Sequence, residues 1–351
     1  LATVFIGTSQ FAAAVLERLA AAGHRPALVI TRPDRPAGRG RRLRPPPVSE
    51  SARALELPLE QPADVNAPDS LALIAGALQA GAETPPGAGD AAAAGRPVLV
   101  VCAFGALIKE PLLSAQEILN VHPSLLPRWR GAAPIERAIM AGDERTGVSI
   151  MRLTAGLDSG PVCLAGDEPI REDDDYGSLA GRLQELAARL LVRALEQDPP
   201  CSEQPEQGVT YADKIGPSDR TLDPARPAVE LERAVRALHP HIGARVELED
   251  GTLLGVRRAG LLEQAPAAGG DAGGGGDAGG GGDAGGGGEA GGGDEAGGNG
   301  AAPARGVFAR GGRLLLACSP GLLELLEVQP PGARPMEAGA YLRGHAAPGR
   351  R

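Results

Sequence analysis

The sequence predicts an α/β chain: an open, largely parallel sheet with helices on both faces, followed by a small β-barrel. Three observations predict it. The opening residues read strand, turn, helix, strand. Thr3 to Ile6 is apolar, Gly7-Thr8-Ser9-Gln10 turns the chain, Phe11 to Ala22 is amphipathic and closed by Gly23, and Ala27 to Thr31 is a second strand. Val98 to Cys102 is a continuous apolar run, as in a strand buried on both faces. Beyond residue 243, short strand-like runs recur between turn signals at Glu249-Asp250-Gly251, Gly311-Gly312 and Ser319-Pro320-Gly321.

Taken in order, the stretch from Thr31 to Val48 comes next. Its glycine and proline breaks and its closing Pro45-Pro46-Pro47 exclude a regular element and predict an exposed loop. Ser51 to Leu57 reads as a helix and Pro58 to Pro62 as a short edge strand. Ala80 to Arg96, rich in Ala, Gly and Pro, reads as a low-complexity surface insertion. The apolar stretch Pro97 to Ile108 is followed by a short strand ending near Asn120 and His122. Val148 to Leu153 is a further strand, which delivers Thr154 to Gly160 back to the strand ends. Ser178 to Glu196 is a long amphipathic helix whose leucines sit at helical spacing and face the core. Residues 1–198 are thus expected to form one domain, 199–208 a polar, proline-rich linker, and 209–345 a second domain that contains the helix Val229 to Leu238. Residues 265–302 interrupt the second domain with Gly-Gly-Gly-Gly-Asp-Ala repeats. They have almost nothing to bury against the entropy of ordering, and read as a disordered loop.

The formal net charge of −9 argues against a polyanionic partner for the chain as a whole. The Thr31 to Val48 stretch reverses that locally. It carries Arg32, Arg35, Arg39, Arg41, Arg42 and Arg44 against the single acid Asp34. Guanidinium groups on an exposed loop suit phosphate, because each makes forked hydrogen bonds and releases counterions. Cys102, Cys163, Cys201 and Cys318 lie far apart with no Cys-x-x-Cys pair and no histidine at metal spacing, so unpaired thiols in a reducing compartment and no metal are expected. The single glycine of the first turn is not a dinucleotide fingerprint. The start has no basic leader, and no apolar run reaches the roughly 18 residues that span a bilayer, so no membrane association and a cytoplasmic location are expected.

The chemistry concentrates in Leu119 to Gly131. Residues i and i+2 of a strand share a face, so Asn120 and His122 emerge side by side. The amide donates a hydrogen bond without titrating, and the imidazole can donate one and also exchange a proton near neutral pH. Together they suit a carbonyl oxygen on which charge develops. Asp158, set between glycines in Gly156-Leu157-Asp158-Ser159-Gly160, can orient the imidazole and stabilise its charged form.

Asn120 to Ile135, with the run Asn-Val-His-x-Ser-Leu-Leu-Pro-Arg-Trp-Arg-Gly, followed by Gly156 to Gly160, resembles the folate-dependent formyltransferases, and among them those that act on methionyl initiator tRNA. The resemblance implies a Rossmann-like catalytic domain and an OB-like barrel that touches tRNA. It also implies 10-formyltetrahydrofolate as formyl donor, the α-amino group of methionyl initiator tRNA as acceptor, and a monomer. By the same match Asn120, His122 and Asp158 are catalytic, and Ser124, Leu125, Leu126 and Pro127 line the folate site. Arg35, Arg39, Arg41 and Arg42 grip the tRNA acceptor end, and the loop Gly7 to Phe11 borders the acceptor side of the cleft. Phe104 stands where relatives usually carry Tyr. The lone Trp129 is expected to pack rather than to stack on a ligand. A transferase for a small amine, a ribonucleotide or an amino sugar nucleotide, would keep the three catalytic residues but has no use for an arginine loop plus a barrel. A tRNA-binding protein without catalysis would not need the three together.

Overall fold

The computed structural model describes residues 2–37, 42–83, 96–262 and 306–345. The chain opens with β1 (Thr3–Gly7), α1 (Gln10–Ala21) and β2 (Leu28–Ile30). Gly7 is required at the first turn, since a Cβ there would meet the carbonyl of Cys102 at 2.9 Å. Ser9 caps α1 by accepting from the N–H of Ala12 at 3.3 Å. After α1, Gly23 adopts φ +90, a conformation that favours glycine.

The arginine-rich stretch corrects the expectation of an irregular loop. β3 (Arg35–Ala37) and β4 (Arg42–Arg44) pair antiparallel, with Arg35 opposite Arg44, Pro36 opposite Leu43 and Ala37 opposite Arg42. Pro36 does not break this ladder because it stands on an isolated two-stranded edge, at a position that asks no N–H of it. The Pro45-Pro46-Pro47 run likewise starts α2 (Pro47–Ala54) instead of only closing the loop, with Pro47 in the first helical turn where a missing N–H costs nothing.

β5 (Leu59–Glu60) is an edge strand and is followed by α3 (Pro68–Glu83), a helix absent from the sequence-based expectation. The expected insertion at 80–96 lies largely outside the described residues, as does the Gly-rich stretch 265–302. Then come β6 (Val98–Cys102), α4 (Leu112–Ala115), β7 (Ile118–His122), β8 (Arg130–Gly131), α5 (Pro134–Ala141), β9 (Arg145–Arg152) and β10 (Val162–Pro169). The main sheet has the order β10-β9-β7-β6-β1-β2-β5. It is parallel from β5 to β7 and antiparallel where β9 and β10 join. All five residues of β6 are buried, between β1 and β7.

α6 (Tyr176–Gln197) begins at a capping box between Asp175 and Ser178. It lays Leu179, Leu183, Leu186, Leu190 and Leu191 into the core under the sheet, as its spacing predicts. Beyond it, β11 (Tyr211–Ala212) pairs parallel with β8, and α7 (Ala228–Leu238) packs against α5.

The second domain contains β12 (Ala244–Glu247), β13 (Leu253–Leu262), β14 (Gly306–Arg310), β15 (Arg313–Ala317), β16 (Leu322–Gln329), β17 (Met336–Glu337) and α8 (Ala338–Gly344). Its strands run β12-β13-β16-β15-β14 with β17 on β16, a curled antiparallel half-barrel over its own core. The predicted turns stand where expected. Gly251 has φ +79, and Gly311 and Gly312 have φ +57 and +76 between β14 and β15.

Among the described residues no helix is long and apolar enough to cross a membrane. The two domains are tied by side chains. Arg137 forks onto Asp219 at 2.7 and 3.0 Å, and Arg236 donates to the carbonyl of Asp174 at 2.7 Å.

The expectation of four unpaired thiols fails for two. Cys163 and Cys201 form a disulfide. Val162 and Ser202 exchange both backbone hydrogen bonds, at 2.8 and 2.9 Å, in an antiparallel bridge. The next pair along, Cys163 and Cys201, therefore falls at the closely spaced position where facing side chains meet. Separation in sequence hid this neighbourhood. Cys102 stays a buried thiol, pushed up by burial, and burial, against an opposing pull from the backbone of Leu323, pushes the Cys318 thiol up to about 11.

Candidate active site

β7 carries Asn120 and His122 on one face, and both are buried, at 8% and 4% exposure. β9 runs back beside β7, and the turn after it returns Asp158 to the same place. Asp158 holds φ +43, a left-handed conformation that a non-glycine residue adopts at a cost.

Its carboxylate meets both partners. Asn120 Nδ2 donates to Oδ1 at 3.4 Å, and His122 Nδ1 lies 3.6 Å from Oδ2. The N–H of Gly131 donates to Oδ2 at 2.9 Å. His122 Nε2 is 2.8 Å from the carbonyl of Trp129. A carbonyl only accepts, so Nε2 carries a proton, and a second proton taken up by the ring lands on Nδ1, facing Asp158.

The segment after β7 is held from several sides. Ser124 is fully buried; its hydroxyl donates to the carbonyl of Arg128 at 2.6 Å and its carbonyl accepts from Ser149 at 2.8 Å. Leu125, Leu126 and Pro127 are half-buried. Trp129 is half-buried, in keeping with a packing role. Its ring N–H donates to Asp143 at 2.7 Å, and the Arg128 guanidinium lies over it at 4.5 Å while also forking onto Asp143. Thr210 accepts from the N–H of Trp129 at 2.9 Å, and β11 pairs beside it, so the second domain's entry strand helps shape the site.

An open cavity of about 410 Å³ lies at the other end of these strands, where Pro97 leads into β6 and Glu117 leads into β7 at Ile118. Glu117 there pairs with both Arg96 and Arg152. Ligands of open parallel sheets bind at the carboxyl ends of the strands, and β7 reaches its carboxyl end at His122, opposite this cavity. Sequence reasoning missed Gln204, in the expected linker, whose amide reaches Asp158, Gly160 and Arg130. Nothing local signals that residue.

Arg35 and Arg42 stand exposed on the β3–β4 hairpin and make no ion pair among the described residues, while Arg39 and Arg41 lie outside them. The base of the hairpin is tied to the end of β6 by Arg32, which donates to the carbonyl of Gly105 at 3.0 Å. Thr8 in the first loop donates to the neighbouring carbonyl of Phe104 at 3.0 Å. The hairpin thus rises from the carboxyl edge of the parallel strands, the edge at which β7 ends in His122.

Residues 1–195 match the formyl transferase family model, and residues 214–346 match the formyl transferase C-terminal domain. The chain belongs to the formyl transferase family. This formyltransferase is 38% identical to a methionyl-tRNA formyltransferase of Cereibacter sphaeroides over 98% of its own length and 96% of that protein. It is 49% identical to the methionyl-tRNA formyltransferase of Ruegeria pomeroyi over 70% of its length and 77% of that protein. Among solved structures, an N-formyltransferase of Helicobacter canadensis in complex with folinic acid and dTDP-3-aminofucose matches with a TM-score of 0.58 at 11% identity, covering 93% of this chain and 98% of that one. At that identity the likeness speaks for the fold alone. The formyltransferase thus has the Rossmann-like sheet its sequence predicts, followed by a curled antiparallel half-barrel in the place of the expected OB-like β-barrel.

Proposed function

We propose that this formyltransferase moves the formyl group of 10-formyltetrahydrofolate to the α-amino group of methionyl initiator tRNA, giving N-formylmethionyl-tRNA for translation initiation in the cytoplasm. The observation that carries the reading is the meeting of Asn120, His122 and Asp158, from two distant stretches, at the carboxyl edge of the parallel strands. Near-full-length similarity to proteins of that name supports the acceptor.

The residues suit the reaction. When an amine attacks the formyl carbon, the carbonyl oxygen gains charge. Asn120's long 3.4 Å bond to Asp158 leaves its amide free to exchange partners and donate to that oxygen. The attacking nitrogen loses a proton and the departing folate nitrogen gains one. His122, with Nδ1 facing Asp158, can take the first and return the second, and the carboxylate steadies the ring while it is charged. An α-amine titrates near pH 8, so a useful fraction is already unprotonated.

Leu125, Leu126 and Pro127, with Ser124 bracing them from beneath, offer a stiff, partly apolar wall beside His122 that fits the flat heterocycle of a folate. Arg35 and Arg42, with Arg39 and Arg41 beyond the described residues, are assigned to the phosphates of the acceptor stem. The half-barrel supplies further surface for an RNA, which a small-amine acceptor does not need. The acting unit is proposed to be a monomer.

The reading is tested by supplying 10-formyltetrahydrofolate with charged initiator tRNA, charged elongator tRNA, and small amines of the ribonucleotide and amino sugar nucleotide kinds. Formyl transfer should strongly favour the initiator; equal or faster transfer to a small amine would refute it.

A further inference from the structure

The amide of Gln204 has four hydrogen bonds. Nε2 donates to the carbonyls of Asp158 and Gly160, each at 2.8 Å, and Oε1 accepts from Arg130 Nε at 3.0 Å and Nη2 at 2.7 Å. The residues on either side of it are exposed, so this side chain reaches inward from an otherwise solvent-facing segment.

The two stretches it joins are the two that hold the proposed catalytic carboxylate. One contains Asp158 itself; the other contains Arg130 and then Gly131, whose N–H binds Asp158 Oδ2 at 2.9 Å. Asp158 sits at φ +43, a conformation that a free turn would tend to relax. Hydrogen bonds to the carbonyls of residues 158 and 160 oppose that relaxation directly. The segment that carries Gln204 is itself fastened to the catalytic domain by the Val162–Ser202 backbone pair and the Cys163–Cys201 disulfide.

We propose that Gln204 is a positioning residue for formyl transfer, which sets Asp158 against His122 and Asn120 by locking the Asp158 turn to the Arg130–Gly131 strand. The proposal rests on the catalytic role given to Asp158 above. All four hydrogen bonds of the Gln204 amide go to groups of the protein itself, so its loss should fall on kcat and not on binding. A displacement of about 1 Å at a reacting group can cost about a hundredfold in rate.

The test uses Gln204→Met, which keeps the length of the side chain and removes its hydrogen bonds, and Gln204→Glu, which keeps an acceptor for Arg130 but sets a carboxylate oxygen against two carbonyls. Both are measured in the full chain, alone and combined with Asp158→Asn, by single-turnover and steady-state formyl transfer to charged initiator tRNA. The expected result is a loss of about tenfold to a hundredfold in kcat, with both KM values within about threefold. In the Asp158→Asn background the same changes should cost less than about twofold, because there is no carboxylate left to place. A folded variant with kcat within about twofold of the parent overturns the proposal, and so does an undiminished loss in the Asp158→Asn background. Failure of both variants to fold would assign the amide to stability alone and overturns it too. If Asp158→Asn by itself leaves turnover intact, the catalytic assignment falls and the positioning role with it; if Asp158→Asn abolishes turnover while Gln204→Met does not, only the positioning role falls.

Discussion

Replacing Asp158 by Asn isolates charge from shape. The amide is nearly isosteric with the carboxylate, and its oxygen can still accept from the N–H of Gly131, so the turn keeps its main tether. What disappears is the negative charge 3.6 Å from His122 Nδ1. At that separation and an effective dielectric of about 20, opposite unit charges attract by about 4 to 5 kcal/mol, which is an upper limit. A single well-placed electrostatic group typically delivers about 3 kcal/mol of transition-state stabilisation, or about a hundredfold in rate. Asp158→Asn should therefore lower kcat about a hundredfold with little change in KM for charged tRNA or formyl donor, because the carboxylate acts on its neighbours and not on bound substrate. Melting temperature should hardly move. The assay is initial-rate formyl transfer with each substrate varied in turn. A folded variant whose kcat stays within about threefold of the parent would show that the imidazole needs no counter-charge, and the proposed proton relay would fail.

Arg35→Ala and Arg42→Ala should raise KM for charged tRNA and flatten its salt dependence, by roughly 0.7 to 0.9 in the log–log slope for each phosphate no longer neutralised, with kcat and melting temperature unchanged, as both side chains are exposed and unpaired among the described residues. Asp174 should appear in acid stability. Burial alone would raise its pKa, but the Arg182 fork, the N–H of Arg171 and the Ser178 hydroxyl outweigh that and bring it down to about 2. A depressed carboxylate contributes stability above its unfolded value of about 4 and loses it as pH falls from about 4 to about 2. Asp174→Asn should thus cost about 2 kcal/mol at neutral pH and flatten the acid limb of a urea-midpoint profile. Leu183→Ala, at a side chain fully buried in the core under the sheet, should cost about 3 kcal/mol by denaturant unfolding; a loss under about 1 kcal/mol would mean that the α6 stripe is not the core it is taken for.

Much of the fold was legible because local pattern and burial agree. The period of the α6 leucines, the unbroken run of β6 and the Gly-marked hairpins of the half-barrel each state their own environment. The reading failed where an element depends on a partner. The β3–β4 hairpin is exposed and built around a proline, so neither alternation nor propensity announces it; the pairing of Arg35 with Arg44 does. The Cys163–Cys201 pair follows from a bridge between β10 and a stretch with no strand pattern of its own. At the site, Asn120 and His122 are legible from their spacing, whereas the approach of Asp158 follows from the resemblance and from β9 turning back along β7. Gln204 was invisible, because a glutamine in a polar, proline-rich segment looks like any solvated residue.

The entry into the second domain also bears on how recognition and chemistry are joined. Gly131 has two attachments: its N–H holds the Asp158 carboxylate, while β8 pairs with β11, where the carbonyl of Ala212 accepts from the N–H groups of Ala132 and Ala133 at 2.8 and 3.1 Å. A side chain at Gly131 is excluded twice over, by φ +123 and by a Cβ that would lie 2.8 Å from that same carbonyl. From β11 the chain runs through α7 to the half-barrel, and Arg137 binds Asp219 on the way at 2.7 Å. The carboxylate proposed as catalytic is therefore joined to β11, from which the chain runs on into the second domain, through the N–H of Gly131 and the β8–β11 pairing. In such an arrangement the strand that introduces the second domain also pairs with the strand whose Gly131 N–H holds the Asp158 carboxylate.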